Sequence, residues 1–206
     1  MQQRGIDARL SRAELLSTGA KRGAALLVAG SAAGALAASA AADPLSDNDL
    51  AYARLLVGVE LLSIDFYLRA MDSSRFKPVG QKYLRTVFVN EIDHNRTVSD
   101  ILSGAGYTPA SAADFEFIYP KRTFASRGAI AILGRELETV FLGAYLGAVA
   151  NVQAQALVQP LARIATSEAQ HLSLWAFELG GHPLSAAFPA PLTIDQVSSA
   201  LDQFTA

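Results

Sequence analysis

Four stretches of the chain repeat apolar residues at helical spacing, each with a polar stripe on the opposite side. The first runs from about Asp47 to Met71. Ala53, Leu56, Val57, Glu60, Ser63, Ile64, Tyr67 and Leu68 share its inner face, and Arg54, Gly58, Asp65, Arg69 and Asp72 its outer one. Ser46, with Asp49 three residues on, supplies an N-terminal capping signal. The second spans about Gly80 to Ser103 and stops at Gly104-Ala105-Gly106. Leu84, Val87, Phe88, Glu91, His94, Val98 and Leu102 face inward there, against Lys82, Arg85, Asp93, Arg96 and Asp100 outside. The third, about Ser126 to Asn151, is apolar nearly all round, with Gly143 and Gly147 four apart. That pattern predicts cover on both faces, or a homodimer contact on the side left bare. The fourth is expected to start near Pro160, a residue suited to a first turn, and to end at Gly180-Gly181. Leu161, Ile164, Glu168, His171, Leu172, Trp175 and Leu179 form its inner stripe.

Between the second and third helices, Gly104 to Ala125 carries Pro109, Pro120 and the aromatics Phe115, Phe117, Tyr119 and Phe124. Some twenty residues are too many for a simple turn, so this segment is expected to cross the bundle and pack through its rings. After His182 the tail is rich in Pro, with one short helix predicted after the capping pair Thr193 and Gln196. The elements add up to an all-α antiparallel four-helix bundle over residues 43–206, with a long crossover between helices two and three.

Residues 1–42 differ in kind. A basic start (Arg4, Arg9, Arg12, Lys21, Arg22) precedes an uncharged run of Ala, Gly and Ser that ends in small-x-small patterns near Ala40. This reads as an export signal, which places the protein in the periplasm or outside the cell. The alternative is a membrane-anchoring helix, but only Leu26, Leu27, Val28 and Leu36 are strongly apolar, so no stable span is expected once a signal is cleaved. Ser11 to Leu16 resembles a twin-arginine motif without its second Arg, which leaves the export route open.

Composition narrows the chemistry. A net charge of −2 gives no electrostatic reason to expect nucleic acid. The absence of Cys excludes disulfides, thiolate zinc sites, iron–sulfur clusters and cysteine nucleophiles. Any metal must be held by Asp, Glu or His. Two of the three His fall in the same motif, Glu91-x-x-His94 and Glu168-x-x-His171, whose i, i+3 spacing puts acid and imidazole on one helix face. Each motif has a lone inward acid upstream at nearly the same distance, Glu60 and Glu138, followed in turn by Tyr67-Leu68 and Tyr145-Leu146. The chain thus repeats a two-helix unit. Four carboxylates on apolar stripes cannot all stay ionised without compensation, and helices one, two and four have no inward Lys or Arg. Two divalent cations would neutralise them, and oxygen-plus-imidazole ligation suits iron or manganese.

On these residues, about 46–181 of the chain resemble the ferritin-like di-iron carboxylate proteins. The signal, the Phe115–Phe124 crossover and the tail from Phe188 to Thr193 resemble, more narrowly, the exported ferritin-like domain family that includes plant desiccation-related proteins. The resemblance implies two iron ions, or manganese in their place. Glu60 and His94 would serve one ion, Glu138 and His171 the other, with Glu91 and Glu168 bridging. Asn90 and Ser167 are candidates to hold the second imidazole nitrogens. Tyr67 and Tyr145 are candidates to hydrogen-bond a ligand carboxylate or pass an electron, or are buried rings with satisfied hydroxyls. Trp175 reads as core, His182 as solvated, and Arg135 with Glu136 as a surface pair. The expected activity is Fe(II) oxidation or the reduction of O2 or peroxide. The alternatives are a dimanganese catalase-like site and a non-catalytic stress or desiccation protein.

Overall fold

In a computed structural model, residues 45–184 and 187–205 are described; the expected export signal at residues 1–42 lies outside them. Helix α1 covers Asp47–Asp72, α2 Pro78–Gly104, α3 Arg127–Asn151, α4 Gln155–Glu178, and a short α5 Ile194–Leu201. The first four pack as an all-α bundle. α1 with α2 and α3 with α4 form the closest pairs, α1 packs along α3, and α2 meets α4 only sparsely. The loosest seam therefore lies between the two helices that carry Glu-x-x-His.

Local chemistry explains the helix ends. Ser46 accepts a hydrogen bond from the Asp49 N–H at 3.1 Å, capping α1. Asp49 does not complete a reciprocal cap. Its carboxylate is buried and accepts from the N–H groups of Gln153 and Ala154, at 2.7 and 3.0 Å, which pins the α3–α4 connection to the start of α1. That anchoring also moves the start of the fourth helix. It begins at Gln155, not at Pro160, and Pro160 lies inside it. Pro160 forgoes the bond that an N–H there would make to the Ala156 carbonyl, and the Asp49 contact holds the chain where the helix starts.

On α2 the seven inward residues are the seven that are buried. α4 is similar, although Leu172 and Leu179 are only half-buried and Leu157, Ala165 and Ala176 join its core. α1 departs furthest. Val59, Leu62 and Phe66, outside its expected inner face, are also buried. The crossover covers Phe66. Phe66 packs on Tyr119 and Phe124, and the Tyr119 hydroxyl donates to Asp65 at 2.9 Å. The Arg69 guanidinium lies over the Tyr119 ring and bonds both Asp65 and the Phe117 carbonyl.

The tail closes the remaining face of α3. Thr193 and Gln196 form the expected capping box at the start of α5. Just before it, the Leu192 N–H donates to the Gly143 carbonyl at 2.9 Å. A Cβ at Gly147 would stand 1.9 Å from the Leu192 carbonyl oxygen, so the backbones meet only because that position is glycine. The glycine face is thus covered by the chain itself. Among the described residues, no helix is long and apolar enough to cross a membrane.

Candidate metal centre

Glu60 on α1, Glu91 and His94 on α2, Glu138 on α3, and Glu168 and His171 on α4 are all buried and converge in the bundle interior. Their ligand atoms form two quartets, each within 4.8 Å: Glu60, Glu91, His94 and Glu168, and then Glu91, Glu138, Glu168 and His171. The two halves mirror each other. His94 Nδ1 lies 2.9 Å from Glu168, 3.3 Å from Glu91 and 3.8 Å from Glu60. His171 Nδ1 lies 2.9 Å from Glu91, 3.3 Å from Glu168 and 3.9 Å from Glu138. The i, i+3 spacing brings each imidazole beside its own acid, and the antiparallel pairing brings it still closer to the acid of the other motif.

One oxygen of each acid (Glu60 Oε2, Glu91 Oε1, Glu138 Oε2, Glu168 Oε1) has no hydrogen-bond partner among the described residues. Two of these are 2.9 Å from an imidazole Nδ1 but do not line up with its N–H. Four buried carboxylates with four orphaned oxygens are costly unless something positive joins them. Protons take that role in the metal-free protein. Burial, then repulsion from Glu91 and Glu168, raises Glu60 well above the usual carboxylate range, and burial with Glu168 does the same to Glu138. Burial alone would lower the two imidazoles. The carboxylates of Glu168 and Glu91 close to each ring outweigh it, lifting His94 to about 9 and His171 to about 11. Burial works against ionised Glu168 as well, but both imidazoles overcome it and hold that acid at about 2.

The tyrosines cross the bundle. The Tyr67 hydroxyl donates to Glu138 and the Tyr145 hydroxyl to Glu60, so each phenol orients the lone acid of the other repeat. Burial, with the nearby carboxylate, pushes both phenols well above their ordinary value, and they stay protonated donors. Trp175, read as core from its position one turn beyond His171, has a polar contact as well. Its Nε1–H donates to the Tyr67 oxygen at 2.7 Å, the two rings stack 5.8 Å apart, and the indole lies against bare Gly134. The Tyr145 hydroxyl has no such support among the described residues.

Asn90 and Ser167 both reach His171, whose Nε2 lies 3.2 Å from the amide nitrogen and 3.3 Å from the hydroxyl. Neither serves His94. His182, Arg135 and Glu136 are exposed.

Such a cluster, six ligating side chains projecting inward from four helices, is compatible with a metal site. A ferritin-like domain family model matches residues 48–180, which includes all six. The chain belongs to the ferritin-like domain family. Comparison with curated proteins gives no match.

Proposed function

We propose that this ferritin-like protein binds two transition-metal ions side by side, iron first, and oxidises Fe(II) with O2 or peroxide outside the cytoplasm. One observation carries the reading: the two ligand quartets overlap in Glu91 and Glu168, as two cations sharing two bridging carboxylates require. The orphaned oxygens support the fit, because each would gain a cation partner. Carboxylate and imidazole donors without thiolate suit iron or manganese. Glu60 and His94 would hold one ion, Glu138 and His171 the other.

Bound there, the ions would supply the electrons, or the Lewis acidity, that reduction of O2 or peroxide needs. The remaining work belongs to the chain. Tyr67 and Tyr145 orient Glu138 and Glu60 and hold the hydroxyl protons nearest the site. Asn90 and Ser167 fix the ring of His171. Trp175, Tyr67 and Tyr145, all fully buried, keep bulk water from the inner side. The basic, then small and apolar, segment at residues 1–42 supports export.

The test is an anaerobic Fe(II) titration of the protein and of its Glu91→Ala/Glu168→Ala double variant, followed by O2 or peroxide. Two equivalents falling to near zero, with oxidation faster than in buffer, is the expected result. Binding without faster oxidation would leave only a structural metal, and no binding would remove the reading. Metal analysis of protein from its native compartment decides between iron and manganese.

A further inference from the structure

The two halves of the centre repeat each other in ligands but not in surroundings. Around His171 the polypeptide is closed: Asn90 and Ser167 occupy its Nε2, and the side chain is 4% exposed. His94 is 11% exposed, and its Nε2 has no hydrogen-bond partner among the described residues. Beside it, the sparse α2–α4 seam opens into a cleft of about 280 Å³, lined by Asp93, His94 and Thr97 from α2 and by Pro160, Arg163 and Ile164 from α4. One wall of this solvent-facing cleft is therefore a member of the buried quartet. The other five residues of the centre, taken whole, are at most 3% exposed.

Resting on the two-ion reading, we infer that this cleft is the port through which a divalent cation reaches the buried carboxylates, passing at His94. Unfilled coordination supplies the direction of travel: among the described residues, four carboxylate oxygens at the inner end have no hydrogen-bond partner and would gain one in the cation. Oxygen donors line the way, with the Asp93 carboxylate and the Thr97 hydroxyl on one wall. Asp93 is partly neutralised by Arg96 at 3.1 Å, and Arg163 stands exposed on the facing wall. Arg163 thus opposes the entry of a cation and sets its rate.

The route is tested by stopped-flow uptake of Co(II), followed by its visible absorption, in the full chain and in three variants. Thr97→Trp fills the cleft and is expected to slow uptake roughly tenfold or more while the bound stoichiometry stays that of the unaltered protein. Arg163→Glu removes the opposing charge and is expected to accelerate uptake roughly twofold or more at low ionic strength, an effect that fades at high salt. Arg75→Glu, at the α1–α2 turn, makes the same charge change away from the cleft and should leave the rate close to that of the unaltered protein. If Thr97→Trp does not fold, the contrast between Arg163→Glu and Arg75→Glu decides alone. Co(II) bound at unchanged rates by both cleft variants, or by the two charge variants where the first is unfolded, would overturn the port and leave the two-ion reading standing. No Co(II) bound by the unaltered protein would overturn both.

Discussion

Tyr67 and Tyr145 occupy matching places in the two repeats and donate to matching acids, yet their surroundings make them unequal. Tyr67 also accepts the Trp175 N–H, so removing its oxygen strands two buried groups, the Glu138 carboxylate and the indole. Removing the Tyr145 oxygen strands only the Glu60 carboxylate. An unsatisfied buried polar group costs about 1–3 kcal/mol. In the metal-free protein, Tyr67→Phe is therefore expected to lower unfolding free energy by about 1–3 kcal/mol more than Tyr145→Phe does. Denaturant titration of both variants measures the difference, and equal losses would mean that the Trp175 contact contributes nothing.

At the scale of elements, the least regular parts of the chain hold the regular ones in place. The strap from Ala190 to Leu192 lies on the glycine face of α3, where backbone meets backbone. A methyl group at Gly147 must displace the Leu192 carbonyl, because neither side has a flexible side-chain end to swing aside. Gly147→Ala is expected to cost about 1–3 kcal/mol and to expose the tail to limited proteolysis. Gly58, inside α1, has open space where its Cβ would stand. There the same substitution should gain up to about 1 kcal/mol, the ordinary advantage of alanine over glycine within a helix. If both variants shift the melting temperature alike, the strap is not holding α3. Asp49 shows the same logic by another means: a carboxylate at the start of one helix caps the connection between two others.

For the whole molecule, the interior charge makes stability depend on pH. His94 and His171 are raised from an ordinary 6.5 to about 9 and about 11 in the metal-free fold, so the folded state holds protons that the unfolded chain has released. That contribution is complete below pH 6.5, shrinks above it, and is gone for His94 once the pH has passed about 9. Raised Glu60 and Glu138 act in the same direction, since their protonated forms favour the fold. Glu168, held at about 2 against an ordinary 4.5, acts oppositely, and its contribution is lost only as pH falls through that lower range. The metal-free melting temperature should accordingly drop between pH 6.5 and 9. A flat or rising profile would contradict the arrangement of charges. Added metal should reverse the trend, because the ion competes with the same protons and binds more tightly as they leave.

Periodicity alone was enough to read the four-helix architecture, the buried stripe of α2 and the inward placement of the six candidate ligands. Those features follow from local geometry: three or four residues make a turn, and an acid on an apolar stripe has nowhere else to point. The repeat of Glu with Tyr seven residues later likewise marked both phenols before any partner was known. Other features depend on which elements meet. Nothing local ties Asp49 to a loop a hundred residues away, so the sequence points to Pro160 where the helix in fact begins at Gln155. Asn90 and Ser167 precede equivalent acids, yet packing sends both to His171 and leaves His94 beside a cleft. Sequence distributes equivalent candidate ligands over two repeats; only the tertiary structure makes the repeats unequal, because one seam of the bundle is packed less closely than the others.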